Sequence, residues 1–244
     1  MIEQQIDIPT KDGKTTTFIC HPERGGPHPT ILFYMDAPAI REELRDMARR
    51  LASVGYYVML PNLYYRSGVM ELADLGITDM DAWRAKMFEF MESLTMTMIM
   101  EDTDALLAYA ENQSAADTSR VGCVGYCMSG QYSVNAAARH PERVFAAASI
   151  YGVRLVTDKP DSPHLAPTKT GAELYFGCAE TDHWAPPEMV EALRTAMAGK
   201  NAEVELYPGV DHGFAFPQRP VYNKQAAERH WERLFSLFHR RLQA

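Results

Sequence analysis

The sequence predicts a doubly wound α/β fold, with a mostly parallel sheet and helices on both faces. Strand-length apolar runs alternate with helical patterns along the chain, and this alternation favours parallel strands joined by right-handed crossovers. The length of 244 residues suits one large α/β domain. No repeat, low-complexity tract or linker divides the chain, so we expect a single domain over residues 1–244.

The elements of the first part follow from local patterns. The Lys-Asp-Gly-Lys sequence at 11–14 predicts a hairpin turn, and Thr30 begins a buried apolar run. Apolar residues at helical spacing predict a helix over 41–54. In order, we predict strands at 6–9, 15–20 and 30–34, helix 41–54, strand 56–60, loop 62–80 and a single methionine-rich helix over 81–110.

The second part repeats the strand–helix cycle. We predict strand 121–126, helix 129–139, strand 144–151, a polar loop to 169, strand 172–176, helix 187–198, strand 203–207 and a closing helix over 221–242. The helix-associated histidines, His140, His230 and His239, are expected at the surface.

Composition excludes several functions. The net charge of −8 and the lack of a basic cluster argue against a nucleic-acid partner. No stretch is apolar enough to span a membrane, and the N-terminus does not resemble a secretion signal. Four scattered cysteines indicate a reducing cytoplasm, and no Cys/His cluster has the spacing of a metal site.

Cys127 is the strongest candidate for a reactive group. It follows a predicted buried strand and precedes a helix, with Gly125 before it and Ser129 and Gly130 after it. Small neighbours permit the strained strand-to-helix turn that exposes a nucleophile, and the helix N-terminus stabilises a thiolate or an oxyanion. The alternative is an ordinary buried cysteine at a strand end.

A nucleophilic thiol needs a base, and the base needs an acid that orients it. Asp182 and His212 each follow a predicted strand, in the order nucleophile, acid, histidine that α/β-hydrolases use. Each has competitors nearby in the sequence: Glu180 and Asp211 for the acid, and His183 and His164 for the base.

These segments together resemble the dienelactone hydrolase family. The resemblance rests on Gly-Tyr-Cys-Met-Ser-Gly, Tyr-Phe-Gly-x-x-x-x-Asp, Pro-Gly-x-x-His-Gly-Phe and Leu-Pro-Asn-Leu-Tyr, and it extends over nearly the whole chain. It implies an α/β-hydrolase fold and the opening of small esters or lactones without metal or cofactor. It also implies a triad of Cys127, His212 and Asp182.

The family carries a further carboxylate near the cysteine, where it helps to switch the thiol to thiolate. Asp36 occupies that place, although the family usually has a glutamate there. The resemblance makes the Ala37 and Met128 N–H groups the expected oxyanion hole. The alternative for Asp36 is a helix cap near Ile40.

The expected substrate differs from the family's. The family holds its substrate's carboxylate with arginines, one of them four residues after the catalytic histidine. Phe216 stands at that place here, and neither Arg219 nor Arg84, which could substitute, is a clear match in position. An apolar pocket for short neutral or aromatic esters and lactones is therefore expected. Its candidate contacts are Tyr34, Tyr64, Arg84, Trp184, Phe214 and Phe216. Alternative functions are a thioesterase or acyltransferase with the same triad, a redox sensor, and a non-catalytic ligand receptor.

Overall fold

Antiparallel pairing at the start of the chain gives way to parallel pairing. The structure, a computed structural model, describes residues 1–243, and Ala244, the end of the predicted domain, lies outside them. Strands β1 (Ile2–Thr10) and β2 (Gly13–His21) form the predicted hairpin in full register. It is longer than predicted, because every second residue of β1 from Gln4 to Thr10 lies on the covered face of the strand even where its side chain is polar.

The first unit, residues 1–118, contains four neighbouring strands in the order β1-β2-β4-β3. Its remaining elements are β3 (His28–Tyr34), α1 (Glu42–Ala52), β4 (Tyr57–Pro61), α2 (Met80–Ser93) and α3 (Met96–Glu111). Strands β3 and β4 are parallel, and both lie in the core. The apolar face of α1 is buried, as its spacing predicts.

The predicted single helix over 81–110 is wrong, because it is two helices. The backbone is extended at Leu94 and Thr95, and the Thr95 hydroxyl accepts a hydrogen bond from the Met98 N–H at 3.2 Å. The first N–H groups of a helix have no partner within the helix, and a threonine at the N-cap accepts a hydrogen bond from one of them. The methionine pattern continues across the break, so periodicity alone did not reveal it.

The second unit, residues 119–244, contains a fully parallel run of strands in the order β5-β6-β7-β8. Its elements are β5 (Ala116–Tyr126, beginning at the unit boundary), α4 (Gly130–Arg139), β6 (Val144–Ile150), β7 (Glu173–Thr181), α5 (Pro187–Met197), β8 (Ala202–Asp211) and α6 (Lys224–Leu242). Strand β7 runs five residues and strand β8 four residues beyond its predicted end, so Asp182 and His212 directly follow them.

Each unit has the strand and helix content of the predicted α/β class. No helix within the described residues is long and apolar enough to cross a membrane. The expectation of one domain over residues 1–244 stays a prediction, since the chain divides into the two units given above.

Candidate active site

Cys127 sits at a strained strand-to-helix turn. Strand β5 ends at Tyr126, Cys127 has a φ of +55°, and a single 3₁₀ turn leads into α4. A positive φ is uncommon for a residue with a side chain. A Cβ at Gly125 would lie 2.0 Å from the Ser129 carbonyl oxygen, so only glycine permits this close approach. The turn therefore has the geometry of a nucleophile elbow.

Asp182 and His212 are joined directly. The His212 Nδ1–H donates to Asp182 Oδ2 at 2.7 Å. Asp182 Oδ1 accepts from the backbone N–H groups of Trp184, at 2.8 Å, and Ala185, at 3.0 Å. Because a carboxylate only accepts, Nδ1 carries the proton and Nε2 is the free base of the neutral ring. Nε2 is buried and meets no hydrogen-bonding partner at conventional geometry within the described residues.

The surroundings of His212 favour the protonated, positively charged form of its imidazole. Burial lowers the pKa of His212, but the hydrogen bond to Asp182 and the neighbouring Cys127 sulfur outweigh it and raise the pKa to about 9. The Asp182 carboxylate and the Cys127 sulfur thus favour the charged form of the His212 ring. A base with this property accepts a thiol proton readily.

The residues that compete with Asp182 and His212 for the roles of acid and base have other contacts. Glu180 accepts a hydrogen bond from the Gly209 N–H at 2.7 Å, and Asp211 is exposed. His183 packs its ring against Trp184, and His164 is hydrogen-bonded to Ser162. Of the four, none is paired with His212 or Asp182 as those two are paired with each other.

The other three cysteines are poor nucleophiles. All four cysteines are free, but only Cys127 is partly exposed. Burial raises the pKa of Cys20 and of Cys178 to about 12, and it raises that of Cys123 still further. Reagents that need a thiolate should therefore select Cys127.

Asp36, in the first unit, is fully buried in an ion pair. Arg41 donates to its two carboxylate oxygens, at 2.6 and 3.2 Å, and also to Glu43 at 2.8 Å. Burial opposes the charge of Arg41, yet the two carboxylates hold its pKa above the usual range. Asp36 is not the N-cap residue of α1: that position is Arg41, whose side chain makes no capping hydrogen bond. Arg41 itself was not predicted.

The remaining candidates of the first unit differ in accessibility. The Tyr64 hydroxyl donates to the Ala37 carbonyl at 2.9 Å and fixes that peptide. The Tyr34 hydroxyl donates to Thr103 at 2.8 Å, since the Thr103 proton is already given to Ile99. Arg84 is exposed on α2, with Asp81 at 3.6 Å.

The predicted aromatic contacts of the second unit fall into two kinds. Trp184 is half exposed and lies two residues after Asp182. Phe214 and Phe216 are fully buried, and Phe216 packs against Tyr126 at 5.4 Å between ring centroids. Both phenylalanines pack against Tyr151, and neither has an exposed surface that a substrate could contact.

Two buried side chains of this unit were missed or misjudged from the sequence. Tyr151 directly follows β6, has a φ of +37° and packs against the His212 ring at 5.0 Å. The expectation that His230 lies at the surface is wrong. It is fully buried, donates from Nδ1 to the Ala227 carbonyl and accepts from the Tyr126 hydroxyl at 3.0 Å. In both cases the partner, His212 for Tyr151 and Tyr126 for His230, lies on a distant segment of the chain, which periodicity does not reveal.

Within residues 1–243, no group of three or more histidine, cysteine, aspartate or glutamate side chains is arranged to hold a metal ion.

The parallel strands, the elbow and the residues at the strand ends define an α/β-hydrolase. Residues 15–242 match the sequence model of the Dienelactone hydrolase family. The chain belongs to this family, and the prediction of an ester or lactone hydrolase with this fold is confirmed.

Relatives span nearly the whole chain. A Methylorubrum extorquens protein named "Putative carboxymethylenebutenolidase" is 30% identical, over 98% of this chain and 81% of its own. A Bradyrhizobium protein named "Probable 2-oxo-3-(5-oxofuran-2-ylidene)propanoate lactonase" is 23% identical, over 93% and 89%. The crystal structure titled "Putative Dienelactone Hydrolase from Klebsiella pneumoniae" superposes with a TM-score of 0.86 at 25% identity, covering 97% of this chain and 98% of that one.

Proposed function

We propose that this protein cleaves ester or lactone bonds through an acyl-cysteine intermediate. Cys127 is the nucleophile, His212 the general base and Asp182 the residue that orients the imidazole. The observation that carries the proposal is the 2.7 Å hydrogen bond between His212 and Asp182, which leaves Nε2 as the basic atom. The strained elbow at Cys127 and its exposure relative to the other cysteines support it.

The reaction has two halves. His212 Nε2 takes the Cys127 proton, the thiolate attacks the carbonyl carbon, and the C–O bond breaks as the imidazolium protonates the leaving oxygen. With a lactone, that oxygen stays tethered to the acyl chain. Nε2 then takes a proton from water, the hydroxide attacks the thioester, and the carboxylic acid leaves as the thiolate is regenerated.

The oxyanion of each tetrahedral intermediate needs N–H donors. We assign the Met128 N–H to this role, because Met128 directly follows Cys127 in the 3₁₀ turn that leads into α4, and the dipole at the start of a helix favours negative charge. The Ala37 N–H is the proposed second donor, and the Tyr64 hydroxyl holds the other side of the Ala37 residue.

Asp36 is proposed as the second acid, in a restricted form. Its carboxylate is tied to Arg41 by two hydrogen bonds, so it acts as a fixed negative charge rather than as a proton donor. In the family's pattern this carboxylate opposes ionisation of the catalytic thiol until substrate arrives, and we propose the same role for Asp36. Thiolate absorbance near 240 nm, titrated with and without a substrate analogue, tests this: equal ionisation in both states contradicts it.

Short neutral or aromatic esters and lactones are the proposed substrates. Phe216 replaces the family's clamp residue and is buried, with the Arg219 guanidinium 4.9 Å from its ring. Trp184 offers an exposed aromatic face next to Asp182. The kcat/KM for p-nitrophenyl acetate and butyrate should exceed that for dienelactone, and a preference for dienelactone by orders of magnitude would refute this assignment.

The experiment that tests the mechanism compares the wild type with Cys127→Ala and Cys127→Ser. Turnover of p-nitrophenyl butyrate should fall by about 10³-fold or more in both. Acid-quenched wild type should carry the acyl group on the peptide that contains Cys127. Cys20→Ala, which removes a buried thiol of the first unit, is the matched control and should keep wild-type turnover.

Two other outcomes are informative. Turnover by Cys127→Ala close to that of the wild type, or an acyl group on another residue, contradicts the proposal. Faster cleavage of acyl thioesters, or transfer to added alcohols, indicates the thioesterase or acyltransferase alternative. Tight binding of esters without turnover indicates a receptor.

A cytoplasmic location and the lack of a nucleic-acid partner are also proposed. The four free cysteines and the net charge of −8 support these proposals. Fractionation of cells that express the tagged protein tests the location, and gel-shift titration with DNA and RNA tests the partner.

A further inference from the structure

The turn that follows β6 is strained without containing a glycine at the strained positions. Tyr151 has a φ of +37° and Arg154 a φ of +56°. A bulky residue with positive φ costs on the order of 1–3 kcal/mol and persists only where the surroundings enforce it. Such strain points to a role in a site.

Two backbone hydrogen bonds enforce the turn. The Tyr151 N–H donates to the Gly177 carbonyl in β7 at 2.6 Å. The Val153 N–H donates to the carbonyl of Cys127 itself at 3.2 Å. The turn is therefore fastened to the candidate nucleophile on one side and to the strand that carries Asp182 on the other.

The strained backbone sends the Tyr151 ring against His212. The two ring centroids are 5.0 Å apart and the planes are inclined by 60°. Tyr151 is fully buried, and its other neighbours are Phe214 at 5.3 Å, Tyr126 at 5.8 Å and Phe216 at 5.9 Å. The ring is thus held between an aromatic cluster and the imidazole.

We propose that Tyr151 is a positioning residue whose ring fixes the orientation of the His212 imidazole. The bond to Asp182 holds only Nδ1, so the ring could still swing about that contact and carry Nε2 away from the thiol. A rigid aromatic wall removes this freedom. An imidazole held in this way also stays against Asp182 and Cys127, the two groups that raise the pKa of His212.

The consequence for turnover rests on the proposed function, but the positioning itself does not. We therefore test it with two readouts that need no substrate. Nitrogen-15 NMR of labelled histidine follows the His212 titration, and the rate of iodoacetamide alkylation follows the reactivity of Cys127. Ester hydrolysis is a third readout. If the ester assay fails for wild type but the first two respond, the function is wrong and the positioning role stands.

Three variants separate ring, hydroxyl and packing. Tyr151→Phe keeps the ring and should keep all three readouts within about twofold. Tyr151→Leu removes the ring. It should lower the pKa of His212, slow alkylation at pH 7 and reduce kcat by about 10- to 100-fold with little change in KM. Phe238→Leu removes an equally buried ring of the same unit, packed against Gly122, and controls for lost packing.

The outcomes are decisive. The proposal is supported if kcat and the alkylation rate fall in Tyr151→Leu but not in Tyr151→Phe or Phe238→Leu, and if the His212 titration shifts in Tyr151→Leu. Equal losses of kcat and alkylation rate in Tyr151→Phe and Tyr151→Leu overturn it, because they would assign the role to the Tyr151 hydroxyl and not to the ring. An unchanged His212 titration in Tyr151→Leu, or the same shift in Phe238→Leu, also overturns it, since the role would then be one of stability.

Discussion

Replacing Gly125 by alanine tests the elbow directly. The new Cβ would lie 2.0 Å from the Ser129 carbonyl oxygen, 2.4 Å from its carbonyl carbon and 3.0 Å from the Gly130 nitrogen. All three are backbone atoms, so no side chain can rotate out of the way. Since Cβ contacts essentially never fall below 3.0 Å, the turn must open by about 1 Å.

The size of the effect follows from that displacement. Overpacking of this kind costs about 1–3 kcal/mol, and the rigid backbone places it near the upper end. For a protein of this size, 3 kcal/mol lowers Tm by about 6–12 °C. A shift of about 1 Å at a nucleophile costs about 10²-fold in rate. We therefore expect Gly125→Ala to fold, melt earlier and lose about 10²-fold in kcat/KM for p-nitrophenyl butyrate.

Gly171→Ala is the matched control. It lies in the same unit, before β7, and no atom lies within 4 Å of the position that its Cβ would occupy. It should match wild type in calorimetric Tm and in ester hydrolysis. If Gly125→Ala behaves like Gly171→Ala, the elbow does not depend on close approach of the backbone and the reasoning fails.

Three further predictions concern charge. The pKa of His212 is about 9, above the 6.5 of an unperturbed histidine, so its contribution to stability is complete below pH 6.5 and is lost as pH rises through 9. Urea unfolding at pH 6, 7.5 and 9 should show this loss, at most about 3 kcal/mol, in wild type and not in His212→Gln. Asp182→Asn should lower kcat for p-nitrophenyl butyrate by about 10²- to 10⁴-fold with little change in KM, because it favours the wrong tautomer of His212; retention of kcat would contradict the assignment. Arg41→Met removes the guanidinium that donates to both oxygens of the buried Asp36 carboxylate and should cost about 3–5 kcal/mol in urea unfolding, much of which the double variant with Asp36→Leu should recover. Additive losses in the double variant would show that the two residues do not act as a pair.

The sequence was sufficient for the parts of the site that depend on local chemistry. Gly125, Cys127 and Gly130 form a tight turn because backbone sterics permit nothing else there, and such constraints are legible in a short motif. Strand and helix alternation identified the fold class for the same reason, since periodicity reports which face is buried. The strand ends were placed too early at Phe176 and Tyr207, where Gly177 and Pro208 weaken the strand pattern.

The sequence was not sufficient where residues far apart in the chain must meet. Asp182 and Glu180 have the same chemistry and lie two residues apart, and only the contact with Gly209 shows that Glu180 points toward β8. The pairing of Arg41 with Asp36 could not be predicted, because the sequence does not distinguish a surface arginine from a buried one. Tyr151 gave no signal, since its positive φ is imposed by two hydrogen bonds to other segments.

The candidate site of the second unit is built from four consecutive parallel strands, each contributing its next residue. Cys127 follows β5, Tyr151 follows β6, Asp182 follows β7 and His212 follows β8. The carboxyl ends of parallel strands share one edge of a sheet, so these four side chains converge without any long loop to carry them. Cys127 and Tyr151 are also two of the few non-glycine residues with positive φ in the described chain. Strain is therefore concentrated where the chain must leave the sheet and still project a side chain from its edge. The Val153 N–H donates to the Cys127 carbonyl, so the two strained turns are linked and relaxing one of them would disturb the other.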